Sequence, residues 1–214
     1  IGSENRTIVP LAKIPLNLRH AVLAAEDRNF YSEHAFSPQG LLRAVWDNVK
    51  SLGNGGGGST ITQQYAKTAF LTPERSIQRK IKEIVIAIKL EQQQSKDQIL
   101  ENYLNTIWFG RGSYGVQTAA QTYFGRNVNQ LSISQDAVLA SILRSPNYYG
   151  PSYTAGLNRL KARWQYVIDG MVKTGWLDSA KAARMKFPTI LPKVTSGTLS
   201  GPKGYVLQYV TSEL

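Results

Sequence analysis

The sequence predicts a mainly α-helical fold with a single domain. Apolar residues recur at spacings of three and four along most of the chain, whereas an alternating strand pattern occurs only at Tyr205–Val210. Side chains that cap helices, together with prolines and glycines, stand where the helical pattern starts and stops. No segment repeats another. With 214 residues and 42% hydrophobic content, the chain is long enough to bury a substantial core.

Two short amphipathic helices are predicted in the first quarter of the chain. The first begins at Pro15, a residue suited to the first helical position, and ends at Glu26–Asp27. Its apolar residues at helical spacing are Leu18, Ala21, Val22 and Ala25. The second helix covers residues 38–52. The glycines within residues 53–58 then predict a mobile loop.

A short helix and a long helix are predicted after the glycines. Ser59 or Thr60 can cap the short helix, and Thr72–Pro73 closes it. The long helix starts near Ser76, and its apolar stripe consists of Ile77, Ile81, Ile84, Val85 and Ile88. Since Ile86 and Leu90 extend the hydrophobic surface to the other side, we expect this helix to be buried over most of its circumference.

Capping signals define the helices of the second half. Ser95–Gln98 and Ser132–Gln135 both read as capping boxes. They precede two inward-facing sets, the first being Ile99, Leu100, Tyr103, Leu104 and Ile107, and the second Ala137–Leu143. A later helix carries Leu160, Trp164, Val167 and Met171 on one stripe and ends at Gly175.

The composition narrows the range of functions. Lys and Arg outnumber Asp and Glu by 25 to 14, which favours anionic partners such as nucleic acid, phospholipid headgroups or phosphorylated substrates. The absence of cysteine excludes disulfides and thiolate chemistry, and two histidines are too few for a His-rich metal centre. No apolar run reaches the ~18 residues of a membrane span, so we expect any anchor or export signal to lie outside this sequence.

Three segments carry residues that a plain helical domain does not need. Glu26–Tyr31 places two adjacent acids at the end of an apolar helix. Gly57–Gln64 leads from glycines into a helical turn rich in hydroxyl and amide groups, where backbone N–H donors and the positive end of the helix dipole suit an anion. Arg79–Glu83 places a cation and an acid on one face of the long helix.

Each segment also has a simpler explanation. Glu26 could be a solvated acid at a helix end. Glu83 could serve only as the i,i+4 partner of Arg79, a pair worth ~0.3–0.5 kcal/mol. His34 could be a structural hydrogen-bonding residue. The glycines do not form a Walker sequence, because no Gly-Lys-Ser or Gly-Lys-Thr follows them.

Taken together, these segments resemble the first three motifs of glycosyltransferase family 51, the peptidoglycan glycosyltransferase domains of class A penicillin-binding proteins. Family members read Glu-Asp-x-x-Phe with a nearby His, then Gly-Gly-Ser-Thr-x-Thr-Gln-Gln-x-x-Lys, then Arg-Lys-x-x-Glu. The matching segments here are 26–34, 57–67 and 79–83, and blocks 96–120 and 137–151 extend the resemblance to about residues 14–187. Two local differences are the Phe30–His34 spacing, which is one residue longer, and Thr68 in place of a frequent Asn.

The resemblance implies a lysozyme-like helical fold with a mobile glycine-rich loop and a membrane-facing segment. It divides the chain into a lead-in at residues 1–13, a glycosyltransferase domain at 14–195 and a linker at 196–214 that leads toward a transpeptidase domain in the full-length protein. The amphipathic residues 38–52 suit shallow insertion into the bilayer, although packing in the core would explain their pattern equally well.

The resemblance also implies a reaction, the polymerisation of lipid II into β-1,4-linked glycan strands with inversion and release of undecaprenyl diphosphate. Glu26 would be the general base, and Glu83 would organise the cations or hold a divalent ion, Mg²⁺ or Mn²⁺. The pyrophosphate would be bound by Lys67, Arg79 and Lys80, and sugar and phosphate oxygens by Ser59, Thr60, Gln63 and Gln64. Asp27, Phe30 and His34 would hold the first motif around Glu26 within the substrate site. The expected partners are lipid II, the growing glycan strand and the outer face of the plasma membrane, not nucleic acid.

Three other functions compete with this one. A lysozyme-like hydrolase or lytic transglycosylase would share the fold, but it would leave the Gly57–Gln64 segment and the cations unexplained. A DNA- or membrane-binding module fits the net charge of +11 but not acids in apolar helices. A penicillin-binding transpeptidase is unlike this chain, because its Ser-x-x-Lys motif would come last, at Ser200–Lys203 beside helix-breaking residues.

Overall fold

The computed structural model describes residues 7–32, 59–72, 76–151 and 154–193. These residues form eight α-helices and two short 3₁₀ turns, Leu11–Lys13 and Val128–Gln130. The helices are α1 Leu16–Glu26, α2 Ile61–Phe70, α3 Ile77–Gln93, α4 Lys96–Thr106, α5 Val116–Phe124, α6 Ile133–Leu143, α7 Thr154–Lys173 and α8 Ser179–Ala183. Within the described ranges there is no β-strand, only an isolated bridge between Trp108 and Tyr114. The predicted mainly α fold is confirmed.

Local hydrogen bonds explain where the helices begin. The Thr60 hydroxyl accepts from the Gln63 N–H at the start of α2, and the Ser76 hydroxyl accepts from the Arg79 N–H at the start of α3. Ser95 and Ser132 form the predicted capping boxes of α4 and α6. Such caps satisfy N–H groups that have no partner inside the helix, which is why they mark helix starts in the sequence.

One group of helices forms around α6, which is apolar on nearly all sides. Every residue from Asp136 to Leu143 is buried. Helices α1 and α7 pack against α6 and against each other. The apolar stripe predicted on α7 lies in this core, since Leu160, Trp164, Val167 and Met171 are all buried.

A second group consists of α2, α3 and α4, with α2 packed against both of the others. Helix α4 contributes Ile99, Leu100, Tyr103 and Leu104 to the core, as predicted. Asn105 of α4 exchanges two hydrogen bonds of 2.9 Å with the backbone of Val9, which fixes the segment that leads into α1.

Helix α3 differs from its prediction of burial around most of its circumference. Ile77, Ile81 and Val85 are exposed, at 56%, 42% and 41% of their surface, while the buried residues are Glu83, Ile84, Ala87 and Leu90. The expectation was wrong because periodicity shows which residues share a face but not which face meets a neighbouring helix. Helix α3 packs through the face that carries Ile84, while Ile77, Ile81 and Val85 of the predicted stripe lie exposed.

A tight turn between α4 and α5 brings Ile107 and Trp108 to the same side as the end of α1. Backbone hydrogen bonds from Phe109 to Ser113 and from Gly115 to Ile107, both 2.9 Å, close the turn. Gly115 has a φ of +80°, and a Cβ there would lie 2.7 Å from the Asn105 carbonyl oxygen. The position therefore requires glycine.

Several predictions fall outside the described residues. These are the helix at 38–52, the glycine loop at 53–58, His34, the Tyr205–Val210 strand pattern, the linker at 196–214 and the first part of the 1–13 lead-in. In the part of the chain that is described, every helix is too short or too polar to cross a bilayer.

Candidate active site

A cleft of about 1020 Å³ lies where the two groups of helices meet. The end of α1, the start of α2, the turn after α4 and the end of α6 all contribute to its walls. Its described lining residues are Ala24–Arg28, Ser59, Gln64, Lys67, Thr68, Ile107, Trp108, Leu143–Asn147 and Tyr166. Of the residues predicted for the site, the structure thus places Glu26, Asp27, Ser59, Gln64 and Lys67 around one cleft.

Glu26 is the last residue of α1, and both of its carboxylate oxygens have partners. Gln64 donates from Nε2 to Oε2 at 3.0 Å, and Nη2 of Arg163 lies 3.4 Å from Oε1. The side chain is only 8% exposed, although it lines the cleft. Glu26 is therefore not the freely solvated helix-end acid of the simpler explanation.

The environment of Glu26 has opposing effects on its acidity. Burial raises the pKa of the Glu26 carboxyl, because the charged form loses its hydration. The hydrogen bond from Gln64 and the positive charges of Arg163 and Arg144 act against that rise. A carboxylate whose pKa is shifted toward neutral pH is a better proton acceptor than a solvated one, which is what a general base requires.

Tyr103 fixes the orientation of the Gln64 side chain. The Tyr103 hydroxyl donates to Gln64 Oε1 at 3.0 Å, which directs the Gln64 amide nitrogen toward Glu26. An ionised carboxylate only accepts hydrogen bonds, so the NH₂ group must face it and the carbonyl must face Tyr103. Tyr103 is fully buried, and burial beside Glu26 and Asp27 raises the pKa of its hydroxyl well above the ordinary value. The phenol therefore stays protonated and continues to donate.

Asp27 connects the first motif to the second. Its Oδ2 accepts from the backbone N–H of Ile61 at 3.0 Å, at the first residue of α2. This bond satisfies an N–H group at the positive end of the helix dipole. Asp27 thus holds the start of α2, and with it Gln64, close to Glu26.

Phe30 is buried in the core, with the Lys96 ammonium 4.8 Å from its ring centroid. It is not part of the described cleft lining, so it lies behind the Asp27–Phe30 turn and not at the cleft surface.

Glu83 pairs with Lys80 rather than with Arg79. Nζ of Lys80 lies 2.6 Å from Glu83 Oε1, and the Glu83 side chain is 2% exposed. The same ammonium donates to the Ser59 hydroxyl at 2.9 Å and to Gln63 Oε1 at 3.5 Å. The simple exposed i,i+4 pair with Arg79 is thus wrong. The buried Glu83 carboxylate instead holds the Lys80 ammonium, which contacts Ser59 in the cleft lining.

Besides Phe30, five predicted residues do not line the described cleft, namely Thr60, Gln63, Arg79, Lys80 and Glu83. Thr60 caps α2, and Gln63, Lys80 and Glu83 form the buried cluster behind Ser59. Nε of Arg79 is buried and has no hydrogen-bond partner in the part of the chain that is described. Lys67, by contrast, is exposed on α2 and faces the cleft directly.

The carboxylates do not suit a metal site built from protein ligands alone. Among the described residues, no group of three or more His, Asp or Glu side chains is placed to hold a metal ion. Oε1 of Glu83, the candidate ligand, is occupied by the Lys80 ammonium.

Arg28 and Tyr166 form a wall of the cleft that the sequence did not indicate. The Arg28 guanidinium carbon lies 5.4 Å from the Tyr166 ring centroid, and its Nε donates to the Ala24 carbonyl. A Cβ at Gly170 would lie 2.8 Å from Nη2 of Arg28. The glycine inside α7 therefore makes room for Arg28 against the helix.

Arg144 and Arg163 were also missed. Both carry charge close to Glu26, yet they follow it in the chain by more than a hundred residues. No local pattern marks them, because neither belongs to the apolar stripe of its helix. A pairing across such a sequence distance is visible only in the folded chain.

Comparisons with known proteins identify the family of this chain. A family model described as transglycosylase matches residues 1–172. Penicillin-binding protein 1A of Mycolicibacterium smegmatis is 42% identical over 98% of this chain and 27% of its own length. The Escherichia coli protein of the same name is 37% identical over 100% of this chain and 25% of its own length. The chain thus spans about a quarter of these relatives.

The fold recurs in a solved structure. The crystal structure of penicillin-binding protein 1A from Haemophilus influenzae superposes with a TM-score of 0.54 at 23% identity, covering 100% of this chain and 22% of that one. At that identity the superposition speaks for the fold alone. The family match over most of the sequence is the stronger result, and by it the chain belongs to the transglycosylase family.

Proposed function

We propose that this chain is a peptidoglycan glycosyltransferase, which polymerises lipid II into β-1,4-linked glycan and releases undecaprenyl diphosphate. The observation that carries the proposal is the setting of Glu26. It is a mostly buried carboxylate, held by Gln64 and Arg163, in a cleft that also exposes Lys67. A proton acceptor and a cation in one cleft suit the transfer of a sugar from an anionic leaving group.

In the proposed reaction Glu26 takes the proton from the 4-hydroxyl of the GlcNAc of an incoming lipid II. The hydroxyl oxygen attacks C1 of the MurNAc at the end of the growing strand. The bond between C1 and the diphosphate oxygen breaks, and the electron pair leaves with the diphosphate. Attack opposite the leaving group inverts the configuration and gives the β-1,4 linkage.

The leaving diphosphate gains negative charge as its bond to C1 breaks. Lys67 faces the cleft, and Arg79 has a buried Nε without a described partner on the adjacent helix α3. Cations in fixed positions stabilise such charge without reorganising at the moment of reaction. We therefore assign Lys67 to the diphosphate, with Arg79 as a second cation that the bound substrate would engage.

A hydrolase of preformed glycan fits the cleft less well. Most glycosidases use two carboxyl groups, one that protonates the departing sugar oxygen and one that acts as nucleophile or base. The described acids of the cleft are Glu26 and Asp27, and Asp27 is engaged with the Ile61 N–H. A diphosphate needs no proton to depart, so one carboxylate that accepts a proton, together with cations, is sufficient.

The exposed stripe of α3 supports a position at the membrane surface. Ile77, Ile81 and Val85 follow each other at four-residue spacing, and Lys82 and Lys89 flank them on the helix. Apolar side chains edged by lysines suit an anionic lipid surface. We propose that this stripe faces the outer leaflet of the plasma membrane, where an undecaprenyl-linked substrate is held. In the full-length protein a transpeptidase domain would follow the linker.

The proposed function is tested by incubating the purified chain with lipid II, with and without moenomycin, and analysing the products by gel electrophoresis. We expect polymeric glycan in the absence of moenomycin and none in its presence. Glu26→Gln serves as the inactive control. Cleavage of preformed peptidoglycan without any polymer from lipid II would overturn the proposal in favour of a lytic enzyme.

A further inference from the structure

Arg163 connects helix α7 to the end of helix α1 at Glu26. Its Nη2 donates to the Ala25 carbonyl at 2.8 Å and lies 3.4 Å from Glu26 Oε1. The Arg163 side chain is only 11% exposed. One guanidinium group thus contacts both the backbone at the end of α1 and the carboxylate that follows it.

Tyr166 holds this guanidinium in place. The Arg163 guanidinium carbon lies 4.5 Å from the Tyr166 ring centroid, three residues further along α7. A planar cation stacked on an aromatic ring keeps a fixed orientation more readily than a lysine ammonium does. The position of Arg163 relative to Glu26 is therefore set by its contacts with Tyr166 on α7 and with the Ala25 carbonyl on α1.

The two oxygens of Glu26 have partners of different strength. Gln64 donates to Oε2 at 3.0 Å, an ordinary hydrogen-bond length. The 3.4 Å contact of Arg163 with Oε1 is longer than the ~2.7–2.9 Å of a short charge-assisted hydrogen bond. Oε1 is therefore close to a positive charge without being tightly engaged, so a substrate proton can still reach it.

We propose that Arg163 is a positioning residue of this site, which keeps the Glu26 carboxylate ionised and directs Oε1 toward the hydroxyl that gives up its proton. The inference rests on the proposed function, because it assumes that Glu26 is the base. It extends that function by assigning to α7 a residue outside the three motifs.

The electrostatics of Glu26 agree with this role. Burial raises the pKa of Glu26, and the charges of Arg163 and Arg144 act against that rise. Removal of the Arg163 charge should therefore raise the pKa of Glu26 further. At a given pH, a smaller fraction of the Glu26 carboxyl groups would then be ionised and able to accept a proton.

Arg159 provides a matched control on the same helix. Its guanidinium carbon lies 4.2 Å from the Tyr148 ring centroid, and its Nε donates to the Tyr148 carbonyl at 3.1 Å. Arg159 thus stacks on a tyrosine and bonds a backbone carbonyl, as Arg163 does, but it is not among the charges that lower the pKa of Glu26. Arg163→Gln removes a contact with Glu26, whereas Arg159→Gln leaves that contact in place.

The first measurement needs no substrate. The side-chain carboxyl of Glu26 is titrated by ¹³C NMR, with its signal assigned from the spectrum of Glu26→Gln. We expect a higher pKa of Glu26 in Arg163→Gln and a wild-type value in Arg159→Gln. An unchanged Glu26 titration in folded Arg163→Gln would overturn the inference, whatever the enzyme activity.

The second measurement is the pH profile of kcat/KM for lipid II polymerisation. For Arg163→Gln we expect the acidic limb to move to higher pH and kcat to fall on the order of 10- to 100-fold, with KM little changed. A lower rate with an unmoved acidic limb would reduce Arg163 to a structural role. If wild-type protein made no glycan, the proposed function would fail, while the titration would still decide the role of Arg163.

Arg163→Lys keeps the test decisive if Arg163→Gln does not fold. Lysine retains the charge but cannot span the Ala25 carbonyl and Glu26 in the same way. We expect a smaller rise in the pKa of Glu26 together with a reduced kcat. Wild-type titration and wild-type kcat in this variant would overturn the inference.

Discussion

Burial of Glu26 disfavours the charged form of its carboxyl group, while its hydrogen-bond and ionic partners favour that form. Burial at the end of an apolar helix raises its pKa, while Gln64, Arg163 and Arg144 act in the opposite direction. Since the net effect is a raised pKa, the Glu26 carboxylate is a stronger proton acceptor than a solvated glutamate. Its partners come from residues distant in the sequence.

The first prediction at the residue scale is that Glu26→Gln stops polymerisation while the fold remains. The amide has the shape of the carboxyl group but cannot take a proton from the substrate hydroxyl, and loss of a general base costs ~10²–10⁴-fold in rate. The measurement is glycan formation from lipid II alongside thermal unfolding. Wild-type rates in this variant would end the assignment of Glu26 as base.

The second residue-scale prediction concerns Glu83. Glu83→Gln leaves the Lys80 ammonium buried without its counter-charge, so we expect a loss of stability of roughly 1–3 kcal/mol together with reduced turnover. Urea unfolding and lipid II polymerisation measure the two effects.

The double variant Lys80→Met with Glu83→Gln separates the roles of this pair. Removing both charges should restore stability, because no unpaired charge remains buried. If Lys80 and Glu83 act in catalysis through Ser59, turnover stays low in the double variant. Recovery of both stability and turnover would return the pair to a structural role.

Activity in the presence of a chelator would exclude a required divalent ion.

At the scale of elements, helix α2 is held at its start by a residue of the preceding motif. Asp27 accepts from the Ile61 N–H, and Thr60 accepts from the Gln63 N–H. These two bonds satisfy donors at the first turn of α2, the turn that carries Gln64 toward Glu26. The Gly57–Gln64 segment is thus positioned by a contact between motifs.

We predict that Asp27→Ala destabilises the chain by about 0.5–2 kcal/mol, the range for loss of a helix-capping side chain. Asp27→Asn should retain most of the stability, because its amide oxygen can still accept from Ile61. Hydrogen exchange at Ile61–Gln63 provides the local measurement and urea unfolding the global one. Equal exchange rates in Asp27→Ala and the wild type would show that Thr60 alone caps α2.

At the scale of the whole molecule, one buried acid contributes against stability. Asp136 on α6 is buried, and neither carboxylate oxygen has a hydrogen-bond partner in the described part of the chain. Burial raises the pKa of Asp136 from 3.8 to about 8. The group is therefore neutral in the folded protein at neutral pH, while it is ionised in the unfolded chain.

Proton binding at Asp136 makes the free energy of unfolding depend on pH. Between about pH 4 and pH 8 the folded state binds a proton at Asp136 that the unfolded state releases, so this residue lowers the free energy of unfolding as pH rises. Its contribution is most favourable below about pH 4 and levels off above about pH 8.

We predict that Asp136→Asn becomes more stable relative to the wild type as the pH rises, since the amide cannot ionise. Urea unfolding of both proteins at pH 5 and pH 8 isolates this effect from other titrating groups. A stability difference that is the same at both pH values would show that Asp136 is solvated or paired in solution.

Local patterns in the sequence predicted most of the described helices and the segments that carry the candidate site. Caps at Thr60, Ser76, Ser95 and Ser132, together with apolar periodicity, placed helix starts where the structure has them. These features succeed because a helix start depends on hydrogen bonds among residues three or four positions apart. Motif spacing likewise indicated Glu26, Gln64 and Lys67, which the structure brings to one cleft.

Which side chains contact each other became visible only in the folded chain. Arg163 contacts Glu26 across 137 positions, and Glu83 pairs with Lys80 instead of Arg79. Three residues of the predicted α3 stripe, Ile77, Ile81 and Val85, are exposed. The physical reason is that burial and pairing depend on how distant helices pack, and periodicity along one helix carries no information on its neighbours. Local hydrogen bonds fixed the elements, and packing between them fixed the environment of the proposed base.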